Sequence, residues 1–318
     1  MNVLEFEKPL LEIKLKLKEL ESQERLSSED LEFKQKLERQ ASAMEKELYS
    51  HLDSWMKTKI ARHPQRPSLP YLINNYMSDF IELKGERTFR DDPSIIGGFV
   101  TIKGVKFMII GHCKGSNTKE NMERNFGMAH PEGYRKGIRL MKLAERFRLP
   151  VLTIINTPGA YPGIEAEQRN QSEAIAQSIM QMSALKVPCI SVITGEGGSG
   201  GAIALAMGNA IMMLENAYYS VISPEGCASI LWGDASKASV AANALCYSAD
   251  HLQKFGIIDE IIQEGGTAAH NNQDLTCRNI VQKVIEHYDK LKKMSPEELV
   301  ENRYKKFRNI GVFIEKSK

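Results

Sequence analysis

The chain has 318 residues, 42% hydrophobic and 26% charged, the make-up of a globular protein long enough to bury most of its unfolded surface. Its 42 Lys and Arg against 40 Asp and Glu leave a net charge of +2, which excludes bulk attraction of nucleic acid as the basis of function. No apolar run approaches the roughly 18 residues of a membrane span, the N-terminus lacks a secretory profile, and the five cysteines form no CxxC pair, so a reduced cytoplasmic chain without structural zinc is expected.

From Leu10 to about Lys57 the sequence is rich in Lys, Glu and Leu, and Leu31, Leu37, Met44, Leu48 and Leu52 recur at helical spacing. Two helices are predicted, broken at Ser27-Ser28-Glu29-Asp30, where a serine hydroxyl caps the second. RHPQRPSLPY at 62–71 carries three of the twelve prolines and ends the pattern. Residues 1–60 are therefore expected to form a helical N-terminal arm, and residues 61–318 the main domain with a C-terminal helix. In the main domain, Val- and Ile-rich runs predict strands at 98–103, 106–111, 151–156, 189–194, 210–214 and 218–223, the first two as a hairpin. Helical spacing predicts helices over 132–147, over 166–184, and from about Asp274 onward. Strands alternating with helices imply an α/β fold with largely parallel pairing.

Two glycine turns each follow an apolar strand and precede a helix: TPGAYPG at 157–163 and GEGGSGGA at 195–202. In the second, Gly195, Gly197, Gly198, Gly200 and Gly201 are free to take positive φ and to present consecutive N–H groups to an oxygen that acquires negative charge. The bland alternative is tight packing of helix on sheet. The same loop fits the G-x-S-x-G pattern of a nucleophilic serine at Ser199, with Asp234, Asp250, Asp259, His251, His270 and His287 downstream. Dinucleotide binding fits poorly, because no acidic residue stands about 20 residues beyond the glycines, and no Gly-Lys-Ser/Thr closes a phosphate loop.

RNFGMAHPEGYRK at 124–136, TPGAYPG, QSEAIA at 171–176, GEGGSGGA and YSVISPEGCASILW at 219–232, in this order, resemble the alpha subunit of bacterial acetyl-CoA carboxylase carboxyltransferase. The resemblance runs from LEFEKPL at 4–10 through ARHPQRP at 61–67 to GIIDEII at 256–262. Two departures stand out. Asn156 replaces the family's usual Asp, which argues against a catalytic acid there, and Asn170 replaces the usual Gly.

The resemblance implies a crotonase-like spiral of ββα units behind the helical arm. It implies that the chain, with a beta subunit, moves a carboxyl group from carboxybiotin on a biotin carboxyl carrier protein to acetyl-CoA. The product would be malonyl-CoA for fatty acid synthesis, with biotin carboxylase in the larger complex. Gly200 and Gly201 would form the biotin-side oxyanion hole, and Gly159, Ala160, Gly197 and Gly198 the substrate-binding wall. Neither a biotinylation tetrapeptide nor a zinc ribbon occurs, so biotin would be presented by the carrier and zinc held by the beta subunit only. Arg62, Arg66, Arg124, Arg135 and Lys136 are candidates for CoA phosphates or for structural ion pairs; His63, His112, His130 and Cys227 lie near turns. A serine hydrolase using Ser199 and a non-catalytic scaffold subunit are the alternatives.

Overall fold

The computed structural model describes residues 3–23 and 27–312. Helices α1 (Lys8–Glu21) and α2 (Ser28–Ser50) run antiparallel, as the pairs Lys14–Glu45 and Lys34–Glu21 show. Ser27 starts α2 through a reciprocal cap with Asp30. The two helices bury Leu10, Ile13, Leu37 and Ala41 in a cluster of their own, apart from the main core, while Leu31 stays 49% exposed. Their seam with the rest of the chain is polar: His270 Nε2 meets Glu7 at 3.0 Å, Asn271 donates to Tyr49 at 2.8 Å and Thr267 donates to Glu45 at 2.9 Å. The helical pattern up to Lys57 therefore resolves into three helices. The third, α3 (Ser54–Ala61), is capped by Asp53 and buries Ile60 and Ala61; α4 (Leu69–Tyr76) follows it.

Eight strands form one sheet: β1 (Ser78–Glu82), β2 (Ile95–Ile102), β3 (Val105–His112), β4 (Val151–Thr157), β5 (Cys189–Gly198), β6 (Ala210–Leu214), β7 (Tyr218–Ser220) and β8 (Glu260–Ile262). Their order is β1-β2-β3-β4-β5-β6-β8, with β7 paired to β5. The hairpin β2–β3 turns through Lys103 and Gly104, both at positive φ, and β3 onward is parallel. All six predicted strands are present. β1 and β8 were not predicted: β1 is an exposed edge without alternating polarity, and β8 is three residues long.

The crossovers carry α5 (Thr118–Glu123), α6 (Pro131–Arg146), α7 (Ile164–Gln168), α8 (Gln171–Ala184) and the single turn α9 (Ser199–Ile203). The predicted helix over 166–184 is split at Asn170, whose φ of 63° is left-handed. Asparagine tolerates that conformation. After β7 come α10 (Pro224–Trp232), α11 (Ala238–Ala244), α12 (Ala249–Lys254), α13 (Gln273–Leu291) and α14 (Pro296–Arg308). The last was not predicted, although Ser295 and Glu298 form a capping box at its start.

The central strands β4 and β5 are buried almost throughout, as a parallel sheet covered on both faces requires. Near its carboxyl end β5 changes one neighbour. It pairs with β6 through Ile190–Ile193, then with β7 through Glu196–Gly198, and its register against β4 shifts between Ile155 and Thr157. This strand end delivers the second glycine turn.

Candidate active site

The six glycine-turn residues singled out by sequence come together at the carboxyl ends of β4 and β5. Thr157 pairs with Gly197, and the turn after β4 is closed by the Thr157 hydroxyl, which donates to Gly159 O at 2.7 Å and accepts from Gly159 N at 3.1 Å. Tyr161 N donates to Ala129 O at 3.0 Å, and the Gln171 side-chain amide donates to Ala129 O and Tyr161 O, so the far side of the turn is tied to α8 and to the start of α6.

Close approach explains most of these glycines. A Cβ on Gly198 would stand 2.0 Å from Pro158 O, and one on Gly201 2.5 Å from the carbonyl carbon of Gly159 and 2.6 Å from Ala160 N. The expected positive φ is not found at any of the five glycines of the second turn. The left-handed residue is Ser199, at φ 49°. Tight packing, the blander reading, thus accounts for Gly198 and Gly201. Gly200 differs: a Cβ there would meet only Ile175, at 3.4 Å, and Gly200 borders a groove of about 310 Å³ whose walls include Ile203, Tyr219, Val221 and Leu252. The N–H groups of Gly200 and Gly201 fall in the first turn of α9, where no intrahelical acceptor exists. α9 has only five residues, so these individual donors, not a macrodipole, are what the turn offers.

The other face of the two turns borders a polar cavity of about 280 Å³ lined by Arg62, His112, Lys114, Phe126, Asn156 and Glu196 among others. Glu196 is buried and accepts from Lys114 Nζ at 2.5 Å, Arg62 Nε at 2.9 Å and Tyr218 OH at 2.6 Å. Burial alone would raise its pKa, but the Lys114 and Arg62 charges and the hydrogen bonds of Lys114 and Tyr218 outweigh this and hold it down at about 2. Arg62 also forks onto Glu225, at 2.5 and 3.1 Å. His112 is 1% exposed, and its ring nitrogens make no regular hydrogen bond. Burial, reinforced by the Lys114 charge, pushes its pKa down to about 3, which keeps the ring neutral. Asn156 accepts from Glu196 N at 3.1 Å, an acceptor role that an aspartate would fill equally.

Of the five basic candidates, all are engaged within the chain: Arg62 with Glu196 and Glu225, Arg66 with Glu264, Arg124 with Pro93 O, Arg135 with Arg169 O, and Lys136 with Asp91. Cys227 lies in α10, whose start is capped by Ser223. Among the described residues no group of three or more His, Cys, Asp or Glu is placed to hold a metal ion, and no helix is long and apolar enough to cross a membrane. A larger hollow, about 670 Å³ between Ile81, Phe99 and Phe147, lies on the outer strands, so size does not locate the site.

The strand–turn–helix setting and left-handed φ of Ser199 match a nucleophile elbow, but its partners do not follow. No histidine or carboxylate lines the groove beside it. His251 bonds Ser248, His270 bonds Glu7 and His287 bonds Glu260. Ser199→Ala is therefore expected to cause only a modest loss of activity, and a fluorophosphonate probe to leave the wild-type chain unlabelled. Labelling at Ser199, read by mass spectrometry, would overturn this.

Residues 3–311 match the family model described as acetyl co-enzyme A carboxylase carboxyltransferase-like. A Thermus thermophilus protein named acetyl-coenzyme A carboxylase carboxyl transferase subunit alpha is 49% identical over 313 residues, covering 98% of this chain and 99% of that protein. Among solved structures, the transcarboxylase 12S core with methylmalonyl-coenzyme A superposes with a TM-score of 0.58 at 14% identity, over 73% of this chain and 44% of that one. The beta subunit of geranyl-CoA carboxylase from P. aeruginosa gives 0.55 at 16% identity, over 72% and 43%. The chain thus spans less than half the length of either structure, and at such identities the likeness bears on the fold alone, which is that of crotonase-like carboxyltransferases.

Proposed function

The chain belongs to the acetyl-CoA carboxylase carboxyltransferase family as an alpha subunit, a transferase, and from that premise we propose how its site works. With a beta subunit it transfers the carboxyl group of carboxybiotin, carried on a biotin carboxyl carrier protein, to acetyl-CoA. The N–H groups of Gly200 and Gly201 receive the ureido oxygen as it gains negative charge, and Gly159, Ala160, Gly197 and Gly198 hold the turn that aims them. The observation that carries this reading is Gly200: packing does not require a glycine there, and the residue borders a groove whose apolar walls suit a small ring with one polar edge. When bound, carboxybiotin supplies the carboxyl group, and its freed ureido nitrogen can take the methyl proton. That is consistent with a groove lined by no titratable base apart from the Tyr219 phenol, whose pKa burial pushes up to about 12.

The second oxyanion, the thioester enolate, needs donors from the partner. α10 follows β7 directly and exposes Ile230, Leu231 and Trp232, 76%, 62% and 41% accessible, while Val221 beside the groove is 82% accessible. An apolar surface of this kind next to a half-built site favours a partner subunit docking there. Within this reading the chain acts in the cytoplasm, biotin carboxylase completes the larger complex, zinc resides on the beta subunit, and residues 1–60 serve assembly.

The test is partner dependence. The purified chain is expected to show no biocytin-dependent decarboxylation of malonyl-CoA, and activity is expected to appear when the beta subunit is added. Robust turnover by the single chain would sink the shared-site reading.

A further inference from the structure

Glu196 is a buried carboxylate that the chemistry proposed above does not use. Packing does not demand a charge at this position. Desolvating an ion pair is costly, and apolar side chains of similar volume often hold a core at least as well. What the position does demand is a fixed strand end, because here β5 exchanges β6 for β7 and slips register against β4. The neighbouring glycines supply no side chain to fix it. Between Gly195 and Gly198 the only side chain is that of Glu196.

Its bonds reach four separate parts of the fold. Lys114 follows β3, Arg62 ends α3, Tyr218 lies in β7, and Asn156 of β4 takes the Glu196 N–H. Lys114 is itself backed by an unusual turn. Asn125, Phe126 and Gly127 are three consecutive left-handed residues, φ 46°, 55° and 82°, and a Cβ on Gly127 would stand 3.0 Å from Lys114 Cγ and 3.1 Å from Asn156 O. Asparagine tolerates that conformation, but a bulky residue such as Phe126 persists there only where its surroundings hold it. The charges also balance: Arg62 and Lys114 face Glu196 and Glu225, and His112 behind them is neutral. The anchor therefore adds no net charge beside a site where negative charge develops.

We propose that Glu196, held by Lys114, Arg62 and Tyr218, is the positioning residue of the reactive turn and sets where the Gly200 and Gly201 N–H groups point. The inference rests on the oxyanion reading of that turn. Displacing catalytic donors by about 1 Å can cost about 100-fold in rate without a change in what is bound.

The experiment uses the chain assembled with its beta subunit and follows biocytin-dependent malonyl-CoA decarboxylation. Glu196→Ala is expected to lower kcat about 100-fold while KM for biocytin is unchanged. Glu196→Gln, which keeps the shape and part of the hydrogen bonding, is expected to lose roughly tenfold, and it carries the test alone if the alanine variant does not fold. Val284→Ala in α13, a core change far from the turn in sequence and compared at an equal drop in thermal midpoint, is expected to keep its kcat. A kcat loss at position 196 no larger than in that control, or a loss that lies in KM, overturns the proposal. Gly201→Ala separates the two levels. Full activity there removes the oxyanion reading and this inference with it, whereas an impaired Gly201→Ala beside an unimpaired Glu196→Ala removes the positioning role alone.

Discussion

A valine at position 201 is expected to reduce carboxyl transfer by at least about 100-fold, the size of effect seen when an oxyanion-hole donor is lost. The cause is steric before it is chemical. The first carbon of any side chain at 201 falls 2.5–2.6 Å from the backbone of Gly159 and Ala160, so the two turns must part. Valine adds two methyl groups to that wedge. Gly200→Ala makes the contrast, since its Cβ meets only Ile175 Cδ1 at 3.4 Å and its N–H remains. Any loss it shows reports crowding of the groove alone, without a parting of the turns. Both variants are to be assayed in the assembled complex, and a fully active Gly201→Val enzyme would remove the oxyanion reading of this turn.

The second large effect concerns stability. Arg66 and Glu264 have side chains 2% and 0% exposed and pair bidentately, at 2.7 and 3.1 Å. The same guanidinium donates twice to Thr194 O, at 3.0 and 2.9 Å, just before the second glycine turn. Burial would raise the Glu264 pKa, but the Arg66 charge and hydrogen bonds, with those of Asn216, keep it below the ordinary carboxylate value. Arg66→Met strands that carboxylate in the interior with only the Asn216 and Ala269 donors, so a loss of about 3–5 kcal/mol in unfolding free energy is expected from urea denaturation. Adding Glu264→Gln should recover part of it, because the stranded charge is then gone. If the double variant is no more stable than Arg66→Met alone, the cost does not come from an unpaired charge.

The legible parts of this chain are those with a short-range signal. Val- and Ile-rich runs such as VLTII before Asn156 locate the parallel strands, and the glycine clusters mark the turns that meet at their ends. The purpose of the glycines was not legible, because freedom of φ and freedom of space read alike in sequence; the structure assigns Gly198 and Gly201 to close approach and the left-handed φ to Ser199. Nor was the anchor behind the turn. Arg62 and Glu225 are 163 residues apart, Lys114 and Glu196 are 82 apart, and each alone reads as solvated charge until the topology gathers them.

The polar seam between the N-terminal helix pair and the sheet bears on cooperativity. Two apolar clusters joined by hydrogen bonds need not melt together, so heating is expected to give two transitions, with a single midpoint describing the larger unit only. Acid should separate them further. Burial would raise the Glu7 pKa, but the His270 and Tyr49 hydrogen bonds and the nearby His270 and His63 charges hold it below its ordinary value. The stabilisation it lends is thus full above the ordinary carboxylate pKa and fades as pH falls through the lowered one. Amide exchange in Lys8–Glu21 is expected to rise on acidification before that of β4 or β5, and Glu7→Gln to flatten this dependence. Simultaneous loss of protection in both units would mean that the seam transmits folding as strongly as a shared core does.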